Sequence, residues 1–336
     1  MPNFVVSGLP AYVQDNRDLL LKNFGLVGTA TRQRIAIQTG IKKSAYINFL
    51  DIEPVFQSGE GCGFSASGTA TLSQRTINVA RIKVNLDICP DTLVGKYAEY
   101  LVRINANPGA LPFEQYVIDG LVAEINKGIE KLIWQGDTTS LDPILKWTDG
   151  FLKQMVTEYA SLGHYDASFA GTVYEGVLAA YMNAPEEILE RGAIIFVSPA
   201  DFRALTQELV AKNLYHFAPA NENAEEIILP GTDARVVKTP GLAGVHKIVC
   251  TFGDNLVYGT DMEGDWEDIK VWFSDDADLY KLAAKWATGV AYKFPEYISF
   301  VGFASTPAAY VANDAALAKL ASAVNSSDQI ETHPNS

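Results

Sequence analysis

The sequence predicts an α+β protein, and four stretches carry that prediction. Residues 44–57 (SAYINFLDIEPVFQ) and 71–89 (TLSQRTINVARIKVNLDIC) are rich in β-branched and aromatic residues and alternate with period two, as strands do. Residues 112–135 carry a long helical stripe, and residues 267–303 return to long alternating strands. The chain has 336 residues, enough for about two domains and a substantial core.

The two early strands flank a glycine-rich tip, SGEGCGFSASG, and read as one long hairpin over about residues 40–87. Ile77 and Val79 share a face; the phase then slips at Ala80–Arg81, after which Ile82, Val84, Leu86 and Ile88 define the alternation. Such a slip marks a bulge or a bend. A lone hairpin is marginally stable in water, and no third strand lies next to it in sequence, so a neighbouring subunit is its natural cover. Before it, residues 10–23 (PAYVQDNRDLLLKN) form a short helical segment whose apolar part is Val13 and Leu19–Leu21, too little for a core and suited to an arm that docks on something else.

In the long helix, Val117/Ile118, Leu121/Val122, Ile125, Ile129 and Leu132/Ile133 recur at three- and four-residue intervals. Pro112 suits the first turn, Glu114 the positive helix start and Gly136 the C′ stop, while Gly120 and Gly128 point to close packing. Mixed α/β patterning follows: helices over Thr172–Asn183, Pro185–Arg191 and Pro199–Lys212, and strands over 193–198, 225–230, 234–240, 246–252 and 255–260. Ser198 reads as an N-cap, with Pro199 at N1 and Asp201 at N3. Late in the chain Ile269, Val271 and Phe273 share a face; strands 279–288 and 290–303 follow, broken by Gly289 and Pro295, and are expected to pack on the long helix. Residues 304–336 are Ala/Ser/Asn-rich, with a short helix expected over Asn313–Val324 and a final NSSDQIETHPNS of disordered composition.

Charge and composition narrow the function. Forty acidic against 26 basic residues leave −14, a field that repels phosphate and argues against duplex binding through a basic face. Cys62, Cys89 and Cys250 are too few and scattered for a disulfide framework. The N-terminal stretch lacks signal-peptide character and no apolar run reaches a membrane span, so a soluble, cytoplasmically made chain is expected. SGEGCGF is neither a P-loop nor a dinucleotide fingerprint. His164, His216, His246 and His333 are dispersed, which disfavours zinc, and no nucleophile elbow is present. Asp261, Glu263, Asp265, Glu267 and Asp268 miss EF-hand spacing and read as a solvated turn, as do Asp275, Asp276 and Asp278. No catalytic, cofactor or metal residues are expected. Lys42 and Lys43 at the hairpin base are either a solvated pair or an intersubunit contact. Arg75 and Arg81, inside a strand, read as outward charges that blunt edge pairing. A hairpin, an arm, a tail and no catalytic constellation suggest assembly.

The order of these parts resembles the major capsid protein of tailed bacteriophages, with the Hong-Kong-97-type fold that encapsulins share. The resemblance rests on the FQSGEGCGF tip and its return strand, IEKLIWQGDTT with DGFLKQM, IIFVSPADFRAL, ILPGTDARVVKTPGLAG, and YGTDMEGDWEDIKVWFSDDADLYKLAAKWATGVAYKFPEYISFVGF. In style it is similar to capsid proteins of phages infecting Bacteroidota, including the crAss-like group. It implies an N-arm (1–35), an E-loop (36–88), a P-domain (89–149 and 266–303, spine helix 112–135), an A-domain (150–265) and a tail (304–336). It further implies hexamers and pentamers that close an icosahedral shell around packaged double-stranded DNA, without sequence-specific binding and without a membrane. Portal, scaffold or decoration proteins are the implied partners, the virion the location, and the host cytoplasm the place of assembly. The E-loop would lie over a neighbour, which makes Lys42, Lys43, Phe56, Phe64, Arg75 and Arg81 candidate intersubunit residues. Two other readings stand beside this one: an encapsulin-like compartment that stores an enzyme, and an α/β enzyme using the 261–268 carboxylates.

Overall fold

The computed structural model describes residues 30–56, 68–89, 113–214, 225–261, 268–277 and 279–303. The expected arm, the hairpin tip with Phe64, residues 262–267 and the tail lie outside the described residues. In chain order the elements begin with β1 (Ala36–Gln38), β2 (Ser44–Pro54), β3 (Gly68–Asn78), β4 (Ala80–Ile88), α1 (Phe113–Gln135), α2 (Phe151–Thr157) and β5 (His164–Phe169). Next come α3 (Val173–Met182), α4 (Glu186–Glu190), β6 (Ile194–Val197), α5 (Pro199–Ala211), β7 (Glu226–Ile228), β8 (Arg235–Lys238) and β9 (Lys247–Thr251). The last are β10 (Leu256–Gly259), β11 (Asp268–Ser274), β12 (Leu279–Tyr292) and β13 (Ser299–Phe303). The chain divides into two compact units, residues 1–157 with 254–293 and residues 158–253 with 294–336.

The first unit is built on a sheet of order β1-β10-β12-β11, with β4 also pairing β12. β1 runs parallel to β10, and the other pairs are antiparallel. β2 and β3 form a separate ribbon, in register from Ser44↔Asn78 to Pro54↔Gly68. The expected hairpin to residue 87 is therefore shortened. The slip in alternation is a change of partner: β3 leaves the ribbon at Asn78, and β4 enters the sheet along Ala80↔Thr288 to Ile88↔Tyr280. Between them Val79 donates its N–H to the Lys43 carbonyl at 2.9 Å. A one-residue shift there turns the alternate face of the strand inward, as the period of two requires.

Ile41, Ile47, Ile77 and Val79 close over Val257, Ala287 and Ala291 to form the core at this junction. Gly289 does not break β12, which runs through it; a Cβ there would stand 2.1 Å from the Asn78 carbonyl oxygen, so the crossing backbone admits only hydrogen. On α1 the apolar stripe is buried at Val122, Ile129, Leu132 and Ile133, with Trp134 fully covered. Gly120 and Gly128 meet no atom within 4 Å of a built Cβ, so neither serves the close packing their spacing suggested. Between α1 and α2 the chain doubles back at Gly136 and Gly150, where the Gly150 N–H donates to the Gly136 carbonyl at 2.9 Å. In this turn hydrogen bonds from the Thr139 side chain and backbone, with Lys153 beside them, hold the Asp137 carboxyl below its usual range.

The second unit is a six-stranded mixed sheet of order β5-β13-β9-β6-β8-β7. β13, expected to pack with the other late strands on the long helix, pairs here instead, parallel to β5 and antiparallel to β9. Val173, Val177 and Ala180 of α3 and Phe202, Leu205 and Leu209 of α5 pack on Ile195, Val197, Val236, Ile248 and Cys250 of the sheet. Both helix starts are capped. Thr172 and Glu175 make a reciprocal capping box on α3, and Glu208 accepts from the Val173 and Tyr174 amides at 3.1 Å each. At α5, Ser198 Oγ accepts from the Asp201 amide at 3.0 Å, as expected of an N-cap. The fully buried Asp201 carboxylate in turn accepts from Ser198 Oγ (2.7 Å) and meets His246 Nδ1 (3.0 Å).

Two outcomes follow for stability and reactivity. Gly289→Ala should force the Asn78 carbonyl aside and lower unfolding free energy by about 1–3 kcal/mol in a urea titration. Burial pushes the Cys250 thiol up to about 12, so it holds almost no thiolate at pH 8. Peptide mapping after iodoacetamide should find Cys250 unmodified in the native protein and the exposed Cys89 modified. Because the unfolded thiol ionises first, this burial loses its stabilising effect as pH rises above about 8.5.

Candidate functional site

The ribbon is anchored through one face at one end. Ala45 and Ile47 on β2 stand opposite Ile77 and Arg75 on β3, and this face turns to the body: Ile77 is 0% and Ile47 7% exposed. On the other face Tyr46 is 67% and Leu72 65% exposed. At the far end Val55 and Phe56 follow β2, and Phe56 is 95% exposed. Tyr46, Leu72, Val55 and Phe56 thus leave apolar side chains in water on the ribbon beyond its anchored root.

The proposed contact residues fall at different places along the ribbon. Lys42 and Lys43 are both exposed at its root, and Arg81 Nη2 donates to the Lys42 carbonyl at 3.4 Å, so Lys42 and Arg81 lie together. Arg75 is not an outward charge: its guanidinium lies over the Tyr292 ring, 4.2 Å from the centroid, because its register position puts it on the body face. Phe56 lies two residues beyond the end of β2 and is exposed.

A polar cluster missed in the sequence holds the chain just ahead of β1. Thr31 donates from its N–H to Glu130 Oε1 at 3.2 Å and from its hydroxyl to the same oxygen, while Trp134 Nε1–H donates to Thr31 Oγ1 at 2.8 Å. Arg32, 1% exposed, donates to Asn126 Oδ1 at 2.8 Å and lies over the Tyr258 ring. The signal was available: Glu130 sits inside the apolar stripe between Ile129 and Leu132, and a buried carboxylate requires partners.

Of the acidic run, Asp261 is fully buried and neither of its carboxylate oxygens has a hydrogen-bond partner. Its expected place in a solvated turn is therefore wrong. Asp268 opens β11 opposite Lys285. Among the described residues no three His, Cys, Asp or Glu side chains converge as metal ligands, and no helix is long and apolar enough to cross a membrane.

No family model and no curated protein matches the sequence. Solved structures do match the fold. A satellite phage P4 procapsid structure that includes the size determination protein Sid aligns with a TM-score of 0.57 at 11% identity, over 90% of this chain and 95% of that one. A Gordonia phage Cozz chain aligns at 0.53 and 11% identity, over 83% and 87%. The capsid of an empty GTA particle aligns at 0.52 and 15% identity, over 84% and 92%. The chain thus has the mixed α+β fold of phage capsid structures across most of its length.

The polar cluster makes a direct prediction. Glu130→Ala strands the Thr31 N–H and hydroxyl and should cost about 1–3 kcal/mol in urea unfolding. Lys127→Ala, on the exposed face of the same helix, should stay within about 0.5 kcal/mol of the parent.

Proposed function

We propose that this chain is the major shell protein of a tailed double-stranded DNA bacteriophage, with the Hong-Kong-97-type fold. The observation that carries the reading is the ribbon: it is buried at its root and ends in an exposed Phe56, on a chain with the fold of capsid structures. In this reading residues 1–35 are the N-arm and 36–88 the E-loop, the P-domain is the long helix with the sheet of the first unit, the A-domain is the second unit, to which β10 no longer belongs and β13 is added against the expected bounds, and 304–336 are the tail. The E-loop lies on an adjacent copy, with Phe56 and Phe64 as apolar anchors and Lys42, Lys43 and Arg81 as the charged contacts near its base. Arg75 serves the same contact indirectly, by stiffening the root against Tyr292.

A contact between the ribbon of one copy and the body of the next is heterologous. Such contacts repeat head to tail and close into rings when the rotation between copies allows, which yields hexamers and pentamers from one chain. The net charge of −14 suits a lumen that repels DNA phosphate and lets the genome move during packaging. The chain's chemistry is then self-association, with no catalytic step, in a virion assembled in the host cytoplasm.

Electron microscopy of the chain expressed with its neighbouring genes tests the reading. Closed icosahedral particles that contain double-stranded DNA are the expected result; protein-filled particles indicate an encapsulin-like store, and a persistent monomer at high concentration overturns both. Phe56→Asp should cut particle yield at least tenfold while leaving the monomer's unfolding midpoint unchanged, since an exposed aromatic contributes to association and not to the fold.

A further inference from the structure

The first unit holds an apolar cavity of about 300 Å³ between α1 and β4. Leu121 and Ile125 line it from the helix, Val84 and Leu86 from the strand. At its mouth stand Ile144 and Trp147, 47% and 46% exposed. Gly128 lines it too, and a Cβ built there meets nothing within 4 Å, so the helix wall is bare at that point. A cavity of ~150 Å³ takes up benzene, so this one has room for a phenyl ring and a second small apolar group.

The same unit carries a knob of that composition. Val55 and Phe56, just beyond β2, are 56% and 95% exposed. They cannot reach the cavity of their own chain. Val79 alone separates β3 from β4, and Ile77 and Val79 turn into one core, the two-residue period of an extended chain. The chain therefore holds its direction from Gly68, which pairs with Pro54 at the far end of the ribbon, to Val84 in the cavity wall. At ~3.3 Å per residue these two positions stand roughly 50 Å apart. Knob and hole lie at opposite ends of one strand run, with the buried root between them.

We propose that Val55 and Phe56 of one copy insert into the α1–β4 cavity of a second copy. This rests on the shell reading and deepens it by giving the ribbon a seat. Because knob and hole are different surfaces, each copy gives one and receives one, and the contact repeats head to tail.

Photo-crosslinking of the full-length chain tests the seat, with p-benzoylphenylalanine in place of Phe56 and isotopically labelled and unlabelled copies mixed before assembly. Mass spectrometry should find the mixed-isotope crosslink on residues 82–86, 121–132 or 143–147, at least tenfold above any other site. Gly128→Leu, which fills the cavity with a residue of higher helix propensity, should abolish that crosslink and cut particle yield at least tenfold. If that variant does not fold, the crosslink map on the otherwise unchanged body decides the question. Shells that form with the crosslink elsewhere on the second copy overturn the seat and leave the shell reading intact. So do crosslinks confined to copies of one isotope. A cavity crosslink between copies that build no closed shell supports the seat and removes the shell reading; copies that never associate overturn both.

Discussion

The crossing of the ribbon root over β12 is the constraint on which the first unit depends. Three side chains, Ile47, Ile77 and Val79, are buried there, each adding about 1.5–3 kcal/mol of apolar burial. The absence of a side chain at Gly289 lets the Asn78 carbonyl sit directly against the strand below. At the same point β3 ends and β4 turns into the sheet, so one residue, Val79, separates a segment paired only within the ribbon from one paired to the body. The root is buried against the body, while Val55 and Phe56 beyond β2 are exposed. That asymmetry leaves Phe56 exposed and makes association the reading that accounts for it.

The remaining polar burial in the two units is compensated locally. Glu130 on α1 is held by Thr31, and Asp201 by Ser198 and His246 at the start of α5. Glu208 satisfies two amides at the start of α3 that the helix cannot satisfy itself. Each ties elements distant in sequence, so the polar groups specify which segments meet while the apolar ones supply the driving force. Asp261, with both oxygens buried and unmatched, and Ser299, with a buried unmatched Oγ, depart from this pattern.

Much of this was legible in the sequence. α1, α3 and α5 follow directly from apolar spacing, and the Ser198 cap from the order Ser-Pro-Ala-Asp. Periodicity reports a face and not a partner, and here the misreadings arose. The slip near Ala80 was visible as a bulge but hid a change from ribbon to sheet, and β13 has strand pattern whichever sheet it joins. β1 is only three residues long and draws its place from parallel pairing with β10, for which no local pattern exists. Gly289 looked like a break because a glycine in a strand is read locally, whereas its reason is a backbone passing from far away in sequence. In the candidate site, the exposed position of Phe56 accords with a tip residue, while Arg75 was misassigned to the solvent face because its register against Ile47 was not available.

Hydrogen exchange at residues 48–54 and 68–74, compared between assembled particles and dissociated subunits, addresses the ribbon most directly. The account predicts fast exchange in free subunits, where among the described residues β2 and β3 pair only with each other, and slowing of at least a hundredfold on assembly. Equal protection in both states would contradict it, since the ribbon would then need no second copy to be held.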